Sequence, residues 1–238
     1  MSLKGKTALI TGGSKGIGFG VAQALLSKGM RVAITSRNEA SAMDAAKELS
    51  KVDGAEVLAL EADVKDLDSQ VNAVEKVIKK WGQLDVLVAN AGVGFFGSIE
   101  TLTKAQWDDT IDTNLTGVFN SVKAAVEPLK KSKGYVITIS SLAGTNFFAG
   151  GAAYNASKFG LTGFSQAIML DLRKYGIKVS TIMPGSVSTY FNDHVPNDAD
   201  SWKIQIEDIG KLVVDLLEMN PRTLPSKIEV RPTTPPNS

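Results

Sequence analysis

The chain has 238 residues with Lys+Arg 26 against Asp+Glu 25, a net charge of +1, a single histidine and no cysteine. That balance offers no basic field to nucleic acid or an anionic membrane, and the missing thiols exclude disulfides, thiolate metal sites and cysteine nucleophiles. With 43% hydrophobic residues the length suits one domain over 1–238, and the absence of an apolar segment in Met1 to Lys6 predicts no signal peptide and a reducing, cytoplasmic setting.

Thr7 to Ile10 is a short apolar run, read as a strand. It runs into Thr11-Gly12-Gly13-Ser14-Lys15-Gly16-Ile17-Gly18 and an amphipathic stretch through Ser27. A strand, a glycine turn and a helix in that order let backbone approach a pyrophosphate, whose charge then rests on the free N–H groups of the helix start. Gly29 closes the helix, and Arg31 to Ser36 reads as the second strand. At its end a carboxylate would hold a ribose 2′-hydroxyl and a cation a 2′-phosphate. Here stand Ser36 and Arg37, with Lys15 as a second cation and no acid before Glu39, so NADP(H) is the expected cofactor.

Ala40 to Ser50 is expected to be helical, Glu56 to Leu60 a third strand, and Asp63-Val64 a possible helix cap for Leu67 onward. Leu84 to Val88 reads as the fourth strand and leads to Asn90-Ala91-Gly92, small residues that allow close approach to a ligand. Phe95 and Phe96 suit either a substrate wall or the core. Lys104 to Lys131 reads as one long helix holding Asn114, a poor helix former that asks for a reason.

Tyr135 to Ile139 is the fifth strand. The uncharged stretch Gly134 to Ser157 has the length of a membrane span, but its glycines, asparagines and hydroxyls break it into strand, loop and helix start. Ser141 follows the strand, and Tyr154 and Lys158 lie four apart on the next helix. At that spacing they share one face, about 5 to 6 Å between Cβ atoms, so the ammonium is expected to draw the phenol down from about 10. Hydroxyl, phenol and ammonium are gathered where a carbonyl would be held and protonated. A helix from Tyr154 to Tyr175, a strand Ile177 to Ile182, Pro184-Gly185-Ser186-Val187-Ser188-Thr189, a polar stretch 190–205 with His194, a helix Glu207 to Met219 and a strand Lys227 to Val230 complete the chain. A proline-rich tail, Arg231 to Ser238, ends it.

The Ser141, Tyr154 and Lys158 spacing, with the glycine loop Gly12, Gly16, Gly18 and the Asn90-Ala91-Gly92 triplet, resembles the short-chain dehydrogenase/reductases. The resemblance covers residues 5 to about 190 and implies a single Rossmann-type domain, a doubly wound α/β/α sheet of strand order 3-2-1-4-5-6-7. It implies an NADPH-dependent reduction of a ketone or aldehyde, with Tyr154 as acid, Ser141 holding the oxygen, Lys158 gripping the ribose and Asn114 binding a relay water. Ser14, Lys15 and Ile17 would lie with the glycine loop at the cofactor; Asp63 and Val64 would meet adenine; Asn90, Ala91 and Gly92 the ribose; Pro184, Gly185, Val187 and Thr189 would bracket the nicotinamide. Residues 190–205 would be a short, mobile lid, with His194 a plain lid residue. The two long helices would pair with another copy, as a dimer or tetramer. No metal is expected.

Two substrate classes stay open: a free carbonyl compound, favoured by the short lid, and a 3-oxoacyl chain on an acyl carrier protein, favoured by Lys130, Lys131, Lys133, Arg173 and Lys174. A non-catalytic NADP(H)-sensing module is a third reading. The short lid and the proline tail depart from the family pattern and leave the substrate open.

Overall fold

The computed structural model describes residues 2–235; Met1 and the last three residues of the proline-rich tail, 236–238, lie outside the described residues. Seven strands form one sheet: β1 (Thr7–Ile10), β2 (Arg31–Ser36), β3 (Glu56–Glu61), β4 (Val86–Ala89), β5 (Tyr135–Ile139), β6 (Lys178–Pro184) and β7 (Lys227–Val230). Their order is β3-β2-β1-β4-β5-β6-β7, as expected from the sequence, and every pairing is parallel. β1, β4 and β5 are buried along their whole length, which is what a parallel sheet covered on both faces demands.

Helices α1 (Gly16–Ser27), α2 (Glu39–Leu49), α3 (Leu67–Trp81), α4 (Lys104–Ile111), α5 (Gly117–Ser132), α6 (Ala152–Leu172) and α7 (Ile206–Glu218) supply the two covering layers. The alternation of side chains along each strand divides the core. Ala8, Ile10, Val32, Ile34, Val88 and Ile137 face α1 and α7. Leu9, Ala33, Leu87 and Val136 face α3, α5 and α6 on the other side.

Two local expectations need correction. Asp63 is not the cap of α3: Asp66 accepts the Asp68 amide there at 3.0 Å, while Asp63 accepts from Lys65 at 2.9 Å in a turn of its own. Nor is Lys104 to Lys131 one regular helix. Between α4 and α5 the residues Asp112–Thr116 form a π turn, and this extra residue sits where Thr113, Asn114 and Thr116 already weaken helix propensity. Gly117 then lets α5 pass so close to Val64 that an added Cβ would lie 2.6 Å from its Cγ2. Elsewhere the differences are boundaries: β6 runs on through Pro184, and α6 starts at Ala152 and ends at Leu172 before a short 3-10 turn.

All strands being parallel, Thr11, Asn90, Ser140 and Gly185 leave the sheet at the same end. The order of strands reverses between β1 and β4, and a crevice opens there for a ligand.

Candidate active site

The floor of that crevice is the loop from β1 to α1. Gly12 adopts φ +63°, and a Cβ on it would lie 2.9 Å from Ala91 Cα. A Cβ on Gly18 would lie 2.5 Å from Asn90 Nδ2 and from the Gly12 carbonyl. The loop and the Asn90-Ala91-Gly92 segment are thus in direct contact. Thr11, a residue the sequence reading passed over, joins them: its hydroxyl accepts from the Asn90 amide at 3.0 Å and the Ala91 amide at 3.1 Å. Asn90 Nδ2 in turn donates to the Thr11 and Gly12 carbonyls. The signal in the sequence was a lone hydroxyl between an apolar strand and a glycine.

α1 begins at Gly16 with no side-chain cap and no acid in its first turn, so its free N–H groups and positive end suit an anion. Beside it lies a cavity of about 810 Å³ walled by Ser14, Lys15, Ser36 and Arg37, with Asp44 and Glu48 further along. Ile17 is half-buried beneath the loop, and Thr189 reaches Gly16, where an added Cβ would lie 3.4 Å away. These are features that a dinucleotide with a phosphorylated ribose fits: close backbone, an uncapped helix start and two cations. The Val64 side chain is buried against Gly117, so its backbone is the part it can offer to a ligand. Asp63 is half-buried near the β3 end, and Pro184 and Gly185 continue from β6, where the Gly185 amide donates to the Val230 carbonyl at 2.8 Å. Val187 pairs in a bridge with Ile204.

Ser141 follows β5, and Tyr154 and Lys158 stand on the first turns of α6. Lys158 is 4% exposed, its Nζ donating to the Ile139 carbonyl at 3.1 Å and lying 5.7 Å from the Tyr154 ring centre. Burial pushes its ammonium down from 10.5 to about 8. Burial pushes the Tyr154 phenol up, and the hydrogen bond with Ser141 offsets part of that. The expected lowering of the phenol by the ammonium is therefore not found. The lysine is turned toward a carbonyl and is itself weakened, and desolvation of the ring outweighs it.

Asn114 is wholly buried, bonded to the Val93 backbone through both ends of its amide and to Ser157 Oγ at 3.0 Å. Ser157 Oγ donates to the Tyr154 carbonyl at 2.8 Å. Asn114 Oδ1 and Lys158 Nζ both border Gly92, at 3.2 and 3.7 Å from where a Cβ would be.

Around Tyr154 stand aromatic rings from separate loops. Phe96 is edge-on to it at 5.4 Å, and Phe191 lies 5.7 Å away. Phe96 also meets Phe148 at 5.8 Å. Of these only Phe96 was singled out from sequence; the others lie in loops whose convergence no local pattern announces. Phe95 is half-buried.

In the lid, Asp200 is 4% exposed and receives Ser188 Oγ at 3.0 Å, His194 Nε2 at 2.5 Å and Lys203 Nζ at 2.5 Å. The His194 bond, then that from Lys203, holds its carboxyl well below the usual range. The carboxylate stands between hydroxyl and imidazole, so His194 has no path to a serine proton. Residues 198–205 are thus tied to Ser188 through Asp200, and the apex near Phe191 carries the left-handed pair Asn192, φ +55°, and Asp193, φ +58°. Among the described residues no group of three or more His, Asp or Glu side chains could hold a metal ion, and no helix is long and apolar enough to cross a membrane.

Lys130, Lys131, Lys133, Arg173 and Lys174 precede β5 and β6, at the opposite end of the sheet from Tyr154. Lys130 is engaged by Glu127 at 2.6 Å and by the Tyr175 ring at 4.3 Å.

A family model for short chain dehydrogenases matches residues 6–200. The 3-oxoacyl-[acyl-carrier-protein] reductase FabG of Salmonella typhimurium is 37% identical over 213 residues, 89% of this chain and 86% of that one. Among solved structures, an alcohol dehydrogenase from the archaeon Thermococcus sibiricus complexed with 5-hydroxy-NADP superposes with TM-score 0.91 at 28% identity, covering 98% of this chain and 99% of that one. A metagenomic short-chain oxidoreductase in complex with NADP is 35% identical, with TM-score 0.84 over 99% of this chain and 100% of its own.

Proposed function

The chain belongs to the short-chain dehydrogenase family, and from that premise we propose that it is an NADPH-dependent carbonyl reductase, reversible as an alcohol dehydrogenase. The observation that carries this reading is the convergence of Ser141, Tyr154 and Lys158 at the end of β5, beside the glycine loop and its cations. Bound along the crevice, with its 2′-phosphate against Arg37 and Lys15, the cofactor would supply a hydride to the carbonyl carbon.

The residues handle the proton. With the phenol pushed up by burial, Tyr154 holds its proton at neutral pH and gives it to the carbonyl oxygen as charge gathers there. Ser141 donates a hydrogen bond to that oxygen and keeps it on the phenol's side. Lys158, at about 8, is mostly an ammonium at neutral pH and returns a proton toward the phenolate through the ribose side of the site. Asn114 holds the Val93 turn and the base of α6, and its remaining oxygen lone pair borders the same space as Lys158.

The fatty-acid reading has its support in the FabG relative. Within one chain, however, the five cations that would greet an acidic carrier stand at the far end of the strands, so a carrier docked on them would serve the site of another copy. Phe119 and Phe159, exposed on α5 and α6, support such pairing of copies. A sensing module without chemistry is disfavoured by the presence of all four catalytic candidates. A cytoplasmic setting follows from the NADPH and the missing cysteines.

Tyr154→Phe tests the proposal. NADPH binding, read by fluorescence titration, stays within about twofold, while ketone-dependent NADPH oxidation falls by about 10² to 10⁴. Undiminished turnover would overturn it.

A further inference from the structure

Beyond the reduction itself, the aromatic rings at Tyr154 bear on what is reduced. Phe96, on the loop after β4, is the hub: its ring centre lies 5.4 Å from Tyr154, 5.8 Å from Phe148 and 6.3 Å from Phe191. Rings at such separations and tilts are in edge and offset contact, worth more than their area alone. Yet Phe96 is 44% exposed and Phe148 48%. Large apolar rings that are in mutual contact and still face water mark a place left for an apolar ligand.

Two of the walls are fixed. The Gly97 amide donates to the Gly150 carbonyl at 2.8 Å, and Gly97 and Gly151 form a parallel bridge, so the Phe96 and Phe148 loops are tied together. The third wall differs. Phe191 lies over Gly94, where an added Cβ would come within 2.5 Å of its Cζ, so only a glycine there admits the ring. Directly after Phe191 come Asn192 and Asp193 in the left-handed region, which these two residue types adopt more readily than other side-chain-bearing residues. Phe191 is therefore a ring placed beside the catalytic phenol by a tight turn, behind which the Asp200 network holds the lid to Ser188. The neighbouring charge is directed away: His194 is turned to Asp200, and Lys15 lies by the Tyr190 ring at 6.0 Å.

The geometry points to an aryl subsite: Phe96, Phe148 and Phe191 hold a flat aromatic or similarly planar apolar group attached directly to the carbonyl carbon, so that aryl ketones outrun alkyl ketones and pantetheine-borne 3-oxoacyl groups. The inference rests on the carbonyl reductase reading. Phe191 closes over the group from the lid side, with Phe96 as the edge-on partner.

The test uses the full chain and substrates of equal carbon number, acetophenone and 2-octanone, with the acetoacetyl thioester of N-acetylcysteamine as the pantetheine-like probe. Acetophenone is expected to exceed 2-octanone in kcat/KM by about tenfold. Phe96→Leu and Phe191→Leu bring that ratio toward one, chiefly through KM. In parallel, calorimetry of acetophenone on the NADP⁺-loaded protein, a pair that cannot react, shows binding that both substitutions weaken. A ratio near one in the parent chain, a faster thioester, or variants that slow both ketones with the ratio intact would overturn the aryl subsite while leaving the reductase standing. Acetophenone binding that the substitutions weaken, with no carbonyl turned over, would uphold the subsite and overturn the reductase. Silence in both arms would overturn both.

Discussion

Asn114 and Val93 bond to each other twice: the Val93 amide donates to Asn114 Oδ1 and Asn114 Nδ2 donates to the Val93 carbonyl, each at 2.8 Å. A side-chain amide thereby stands in for a strand residue, pairing with the backbone that carries the cofactor-side loop after β4. The π turn at Asp112–Thr116 is what aims it there. Asn114→Ala removes these bonds and that to Ser157, at a cost of about 2 to 4 kcal/mol. Turnover falls at least tenfold with it, since both the Gly92 loop and the Tyr154 turn lose a support. Chemical denaturation beside steady-state rates checks this, and a variant as stable as the parent would show the bonds to be idle.

Lys158 is maintained against stability. Its depression from 10.5 to about 8 means that between those pH values the folded protein binds fewer protons than the unfolded chain. The burial penalty is complete below pH 8, about 3 kcal/mol, and fades as pH rises toward 10.5. Lys158→Met removes it and loses the bond to Ile139, about 1 kcal/mol. The free protein is then expected to melt about 4 to 8 °C higher at pH 7 and to be inactive, the gain shrinking in alkali. Thermal scans across pH read it, and a lower melting point at pH 7 would count against it.

Arg37 and Lys15 share the cavity at the β2 end with Ser36. Arg37→Ala is expected to raise the KM for NADPH about 10- to 100-fold, the worth of a charge-assisted pair, and to leave that for NADH nearly as it was. Parallel kinetics with the two cofactors decide it; equal losses with both would remove the arginine from the 2′-phosphate.

Asp200, held well below the usual carboxylate range first by His194 and then by Lys203, stabilises residues 198–205 at neutral pH, and the contribution fades as pH falls below the unfolded value near 4. Asp200→Asn loosens that anchorage. Ketone KM is expected to rise several-fold at unchanged NADPH affinity, with faster chymotryptic cleavage near Phe191. An uncleaved lid with unaltered KM would refute it.

Most of the sheet was legible because its strands are apolar runs bounded by glycine or polar residues, β7 with its alternating Lys227-Ile228-Glu229-Val230 excepted; alternation with helices announced a parallel sheet, and the strand order came with the family resemblance. The glycine loop was legible too, since the left-handed backbone at Gly12 and Gly16 is a local constraint, whereas Gly18 is required by Asn90, far off in sequence. The π turn was not, because an inserted residue alters the path without altering composition; only the misfit of Asn114 hinted at it. The phenol's direction was misjudged because desolvation is set by what covers Tyr154, which lies far off in sequence. For the same reason Phe148 and Phe191 gave no sign of meeting at Phe96.

The chain's last described residues border the catalytic end. Glu229 receives Thr145 and Arg231, and Pro232 comes close enough to Gly185 that an added Cβ there would lie 3.2 Å from its Cδ. At the other terminus Gly5 bonds to Gly29, before β2 begins. A reporter dye placed at Thr233, next to Pro232, would thus stand at the rim of the crevice and register its filling, whereas one placed at Ser2 would sit at the opposite end of the strands and serve as the silent reference.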